Sequence, residues 1–233
     1  MKRLIVFGCS NTYGEGLRDC GDASNNWAGD EPSKLAWPDK LAALMGIDEV
    51  VNFGLGGQGN KRIHNHVIEK VVSGLINPDT DVVIILWSFF GRHCIFHDDG
   101  SIERFLPGKN QRLTLEEMKN FSSTKIKKRE AKKLMRVNQW YADYYSQEDQ
   151  HSENYTRISH ARHYLNSKGI RYHGFTSETE QWQQPKTWFD DKTLLPIGIV
   201  SIIKSHGVAL DQMHPSELGH SHIAEIMYKH ITK

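Results

Sequence analysis

The sequence predicts an α/β protein of three layers, a parallel sheet with helices on both faces. Two observations carry this reading. Residues 1–90 alternate strand, loop, helix, strand, helix, strand, the order that builds a parallel sheet with crossover helices. The strand candidates are short continuous apolar runs, the pattern of strands covered on both faces.

The elements follow in order. Leu4-Ile5-Val6-Phe7 is the first strand, ending at Gly8. Residues 11–36 are rich in Gly, Asn, Asp and Ser without periodicity and read as a long loop, a length usually kept for function. Trp37-Pro38-Asp39 opens a helix with proline in its first turn, and Gly46 closes it. Val50-Val51 and its flanks form a second strand. The glycine-rich turn Asn52 to Asn60 follows, then a helix with Ile63, Val67, Val71 and Leu75 on one face. Val82 to Trp87 is the third strand. Residues 92–169 are polar and read as helical, from about Leu115 to Tyr145 and from about Tyr155 to Ser167. Ile170 to Phe175 is a fourth strand, residues 177–200 a loop, and Pro215-Ser216-Glu217 starts a last helix reaching about Ile231. With no Gly/Ser- or Pro-rich linker, residues 1–233 are expected to be one domain with a helical insertion at about 95–168.

Composition narrows the function. Lys+Arg total 29 and Asp+Glu 28, a net charge of +1, which offers no electrostatic case for nucleic acid or an anionic membrane. The basic run Lys125 to Lys133 reads as a solvated helix face rather than a phosphate-contacting patch. Three cysteines, Cys9, Cys20 and Cys94, do not make a disulfide framework and suit a reducing compartment. The apolar run after Lys2-Arg3 stops at Phe7, too short for a signal-peptide core, so a cytoplasmic protein, or one carried in a particle assembled inside a cell, is expected.

In an open parallel sheet, ligands bind beyond the carboxyl ends of the strands. Three such ends should converge on one crevice: Gly8 to Gly14, the turn around Gly57, and Trp87 to Arg92. Ser10 stands directly after the first strand. A serine hydroxyl needs a base to take its proton, and the base needs a partner to fix its tautomer. Asp211-Gln212-Met213-His214 offers both just ahead of a helix. By themselves these pieces also fit a turn serine and a helix-capping histidine.

Their order in the chain is more telling. Phe7-Gly8-Cys9-Ser10-Asn11-Thr12-Tyr13-Gly14 near the start, Asn52-Phe53-Gly54-Leu55-Gly56-Gly57 after the second strand, and Asp211-Gln212-Met213-His214-Pro215 near the end come in sequence. In these blocks the chain resembles the SGNH (GDSL-like) hydrolase family. The resemblance implies a flavodoxin-like SGNH hydrolase fold, a parallel sheet in three α/β/α layers. It implies Ser10 as nucleophile, His214 as general base, Asp211 as the acid orienting it, and backbone N–H groups of Ser10 and Gly57 in the oxyanion hole. Ser10 should lie exposed at the strand end, its Oγ within hydrogen-bond reach of His214. The substrate class implied is a small-molecule or carbohydrate ester, an O-acetylated sugar among them. Viral genomes also encode such proteins, so a virus particle or infected cell is a setting the family allows.

Two positions depart from the family pattern. Cys9 replaces the usual Asp of the first block, away from the catalytic acid. In the third block Phe89 stands where the family has an oxyanion-donating Asn, and a missing donor costs on the order of 2.7–4 kcal/mol of transition-state stabilisation. Asn60, Ser88 and Arg92 are the candidate replacements. Arg92 would also suit an acidic substrate group, and it fits a surface ion pair equally well. Trp182 and Trp188, in a polar loop, are candidate substrate contacts; Trp87 and Trp140 read as core. His93-Cys94, His97-Asp98, His64 and His66 are metal-binding residue types, but His64 and His66 face different ways on a helix and no paired Cys-x-x-Cys accompanies His93, so no metal or other cofactor is expected. His220 and His222 read as polar helix-face residues, His222 as a candidate crevice residue. A non-catalytic binding or structural protein of the same fold is the alternative that Phe89 favours.

Overall fold

The computed structural model describes residues 2–20, 29–105, 135–178 and 194–233. The first strand β1 (Arg3–Gly8) runs into a one-turn helix α1 (Ser10–Tyr13), and α2 (Trp37–Met45), β2 (Glu49–Gly54), α3 (Asn60–Val72) and β3 (Asp81–Trp87) follow. A hairpin comes next, β4 (His93–Phe96) and β5 (Ile102–Phe105). Residues 135–143 are helical. The chain closes with α4 (Gln147–Ser167), β6 (Arg171–Thr176), β7 (Leu194–Pro196), α5 (Ile199–His206) and α6 (Glu217–Ile231). The main sheet has five parallel strands in the order β2-β1-β3-β6-β7.

Both faces of this sheet are covered, which is why its strands read as unbroken apolar runs. Side chains alternate across a strand, so Leu4 and Val6 of β1 join Val82, Ile84 and Leu86 of β3 on one face. There they meet Trp37 and Leu41 of α2, Ile199 and Ile202 of α5, and Ile223 and Met227 of α6. Ile5 and Phe7 join Val83, Ile85 and Trp87 on the other face, against Ile63 and Val67 of α3 and Tyr155, Ile158 and Leu165 of α4. This is the three-layer α/β/α arrangement the sequence predicts. No helix among the described residues is long and apolar enough to cross a membrane.

The middle of the chain differs from the expectation. Residues 93–105 form a hairpin, not helix, and its turn carries the signal: Gly100 has φ +79°, its N–H donates to His97 O at 2.9 Å, and Asp99 Oδ1 accepts from the Ser101 amide at 2.9 Å. An Asp-Gly pair between short strands is hairpin chemistry. Helix α4 starts at Gln147, earlier than the expected 155, because Ser146 caps it, accepting from the Asp149 amide. It is a wall of the core and not part of an insertion. Residues 194–200, expected as loop, hold β7 and the start of α5; β7 is a three-residue edge strand ending in proline, too short for a periodic signal. The basic run 125–133 lies outside the described residues.

Two polar contacts are built into the layers. At the amino end of the sheet, Asp81, fully buried, takes Arg3 Nε at 2.9 Å and Nη2 at 2.6 Å across the β1–β3 register. It also accepts from the Asn77 amide at 2.8 Å. On the α2–α6 face, His220 is fully buried, not a polar surface residue as the sequence suggests. Its Nδ1 accepts the Trp37 amide at 3.2 Å, so it caps α2, whose N-cap residue Ala36 has no side chain able to do so. The proton then sits on Nε2, and desolvation pushes the ring's pKa down to about 3, with the His214 and Lys40 charges acting the same way.

Replacing Asp81 with Ala should cost about 3 kcal/mol, because it strands a half-buried guanidinium and an amide, and urea unfolding measures it. A His pKa lower in the folded than in the unfolded state gives stability that is full above about pH 6.5 and drains away as pH falls toward about 3. The urea midpoint of His220→Asn, which keeps an acceptor for Trp37, should therefore fall less between neutral and acid pH than that of the wild type.

Candidate active site

The strand order reverses at β1: the chain crosses to β2 on one side and then returns to β3 on the other. Loops leaving β1 and β3 part there, and a crevice opens at their carboxyl ends. Ser10 stands at that point as the first residue of α1, its carbonyl accepting from the Gly14 and Glu15 amides at 2.8 and 3.2 Å. It is buried, 2% exposed, and not open to solvent as expected, because α1 folds straight back over the end of the sheet. Asn52 at the end of β2 fixes that fold-back: its Nδ2 donates to Thr12 O at 2.8 Å while its Oδ1 accepts the Gly54 amide at 2.8 Å.

The turn 211–214 brings Asp211 to His214. Asp211 Oδ1 accepts the Met213 and His214 amides at 2.9 and 3.1 Å, and its Oδ2 takes His214 Nδ1 at 2.5 Å. Gln212 adopts φ +60°, a left-handed conformation unusual outside glycine, and the turn holds it there. Burial raises the Asp211 carboxyl, but the bonds from the His214 ring and the two amides outweigh it and hold the group below the usual carboxylate range. A carboxylate only accepts, so Nδ1 carries the proton and Nε2 is left as the basic nitrogen. The turn is fastened to the loop after α1: the Leu210 amide donates to Gly16 O at 2.9 Å. Gly16, at φ +81°, allows the approach, since a Cβ there would stand 2.5 Å from Asp211 Cγ.

What faces His214 Nε2 is Glu15, with Oε2 at 3.9 Å. The other oxygen of this carboxylate lies over Gly56 in the glycine turn, where a Cβ would come within 1.8 Å of it. Among the described residues no hydrogen bond joins Ser10 Oγ to His214, so of the two contacts expected at the ring only the Asp211 one is made in this structure. Burial raises the Glu15 carboxyl above its ordinary value; His214, Arg104 and Arg92 pull it back, and Asp211 adds to the rise.

The third loop is built by Asn60. Fully buried at the start of α3, it accepts the Ser88 amide on Oδ1 at 2.7 Å and donates from Nδ2 to Ser88 O at 3.1 Å. Asn60 thus clamps the glycine turn to the end of β3. Ser88 is also fully buried, and its hydroxyl accepts Arg92 Nη1 at 3.1 Å. The Arg92 guanidinium lies over the Phe89 ring, 5.1 Å from its centroid, and Phe89 packs on the core. Gly57 sits in the turn with φ +66°. Trp182 and Trp188 lie outside the described residues. Trp87 is core, while Trp140 is partly exposed and stacks on His93 at 4.5 Å. His222 stacks on His206 at 4.4 Å.

Sequence reasoning missed two acids here. Glu15 is flanked by Gly14 and Gly16 directly after the nucleophile turn, a signal available in the sequence. Glu178 follows β6; its Oε1 accepts the Phe90 amide at 2.8 Å, and burial raises its carboxyl against that bond and the pull of Arg92. Nothing local marks it, because its partner is 88 residues away.

No protein-family model and no curated protein matches the chain. Solved structures do. The chain is similar to the lipase Lip_vut3 from a goat rumen metagenome, at 11% identity and a TM-score of 0.51 over 98% of this chain and 97% of that one. It is similar to a carbohydrate esterase whose active site displays divergent catalytic and non-catalytic binding functions, at 14% identity and a TM-score of 0.51, covering 99% of this chain and 64% of that one. A carbohydrate esterase family 2 enzyme with a carbohydrate-binding domain, from Corynascus thermopiles (Myceliophthora fergusii), gives 12% identity and a TM-score of 0.50, covering 99% and 65%. At these identities the likeness concerns the fold, and the fold that this chain shares with them is a three-layer α/β/α fold.

Proposed function

We propose that the chain is a serine esterase acting on a small-molecule or carbohydrate ester, an O-acetyl group on a sugar being the favoured substrate. The observation that carries this reading is the His214–Asp211 pair at 2.5 Å, mounted on a turn bonded to the loop that leaves Ser10. Ser10 Oγ attacks the ester carbonyl carbon as its proton passes to His214 Nε2. The tetrahedral oxyanion collapses to acyl-Ser10, and the leaving alcohol takes the proton from His214. Water then repeats the sequence and releases the acid. The carbohydrate part of the reading is supported by the carbohydrate esterases that share the fold.

Phe89 cannot donate to the oxyanion, and Asn60 is committed to the Ser88 backbone. That leaves the Ser10 and Gly57 amides, the Ser88 hydroxyl and the Arg92 guanidinium as donors, and of the side chains Arg92 reaches furthest and has further N–H groups to offer. The same facts favour a second reading, a binding protein of this fold without turnover, as does the unmade contact between Ser10 and His214. Labelling of Ser10 by a fluorophosphonate probe separates the two.

Ser10→Ala should abolish hydrolysis of a short-chain aryl ester and leave the melting temperature close to that of the wild type; unchanged turnover would move the nucleophile elsewhere. Arg92→Ala should lower kcat by roughly a hundredfold with less effect on KM, since an oxyanion contact forms fully only in the transition state. A change in KM alone would assign Arg92 to ground-state binding.

A further inference from the structure

His214 meets a carboxylate at each ring nitrogen, Asp211 at Nδ1 and Glu15 at Nε2, and only Asp211 belongs to the catalytic set proposed above. Glu15 is not a surface acid that happens to lie near. Its side chain is 19% exposed and that of His214 13%, so solvent screens the pair weakly. Its position is built from both sides: Gly14 and Gly16 turn the loop at φ +87° and +81°, and Gly56 leaves the space that one of its oxygens fills. Among the described residues it accepts no hydrogen bond, and the His214 ring is its one ion-pair partner. Burying a carboxylate without donors is costly, and the cation that would offset that cost here is a protonated His214 ring.

We propose that Glu15 is a positioning residue: it holds the His214 ring from the Nε2 side, opposite Asp211, and stabilises the imidazolium that forms when His214 takes the serine proton. This rests on the esterase reading for its catalytic consequence, though not for the pairing itself. The proton moves from Ser10 Oγ to Nε2 and later to the leaving alcohol; Glu15 acts through its charge on the ring, takes no proton from it and forms no bond to substrate. At 3.9 Å it is too far to take a proton directly from Nε2 yet close enough to act on a cationic ring. The charged and titratable groups facing the pair come from several elements. Asp211 lies on the same turn, His220 faces His214 from α6, and Arg92 and Arg104 face Glu15 from the loop after β3 and from β5. Burial raises the Glu15 carboxyl, and the His214 ring, Arg104 and Arg92 draw it back.

The test is Glu15→Gln, which keeps shape and removes charge, read in the full-length protein in two ways. The first is the pH profile of kcat/KM for an aryl acetate. Normalised to its own plateau, the variant should retain at about pH 5 roughly five times the fraction that the wild type retains, because the imidazolium has lost an anion and the base stays neutral to lower pH. The second is the NMR titration of the His214 ring, assigned with a His214→Gln variant, which should move to lower pH in Glu15→Gln. A merely structural Glu15 would change stability or KM and leave both midpoints in place, and that result overturns the proposal. If the wild type hydrolyses no ester, the esterase reading falls, and the ring titration alone decides whether Glu15 holds His214.

Discussion

The carboxyl end of this sheet takes its form from one constraint, the burial of β1 on every side. Its edges are hydrogen-bonded to β2 and β3, and its faces are packed under α2 and α6 and under α3 and α4. A strand held that way cannot slide, since a one-residue slip would exchange Leu4 and Val6 with Ile5 and Phe7 between two cores already filled. The position of Ser10 is therefore set by core packing before any polar contact at the site is made.

The rest of the site is assembled by side chains that bond to backbone across loops. Asn52 fastens α1 to the end of β2, Asn60 fastens the glycine turn to Ser88, Glu178 holds the Phe90 amide, and Asp211 ties its own turn together. Each satisfies backbone groups that tight turns leave without ladder partners. These clamps also divide labour among residues that look alike in sequence. Asn60 and Arg92 both carry N–H donors of the kind that meets an oxyanion, but the Asn60 amide holds two loops together, whereas the guanidinium of Arg92 retains donors beyond its bond to Ser88.

Electrostatically the site is acidic and internally balanced. Asp211 is held ionised by its own hydrogen bonds, while Glu15 and Glu178 are pushed toward neutrality by burial and drawn back by Arg92, with Arg104 also acting on Glu15. An arginine whose charge acts on two partly buried acids, and which rests on the Phe89 ring, is pre-organised, its orientation fixed by Ser88. That arrangement stands where the third block of the resembling family carries a neutral amide. Phe89 is thus accompanied by a charged side chain and is not an apolar plug alone.

The sequence by itself determined the elements whose signals are local. Unbroken apolar runs marked β1 and β3, proline and glycine bounded α2, serine and proline opened α6, and Asp211-x-x-His214 marked a carboxylate–imidazole pair that the turn does form. The β4–β5 hairpin was legible in its Asp-Gly turn but hidden by a polar composition that reads as helix, and β7 is too short for any period to show. Only the tertiary structure decided what depends on distant partners. It buried His220 as the cap of α2 across 183 residues of chain, committed Asn60 to Ser88 across 28, and set Glu15 against His214. The reason is physical: propensity and periodicity act within a few residues, whereas burial, and the hydrogen bonds and charges that burial makes strong, are fixed only once the layers close.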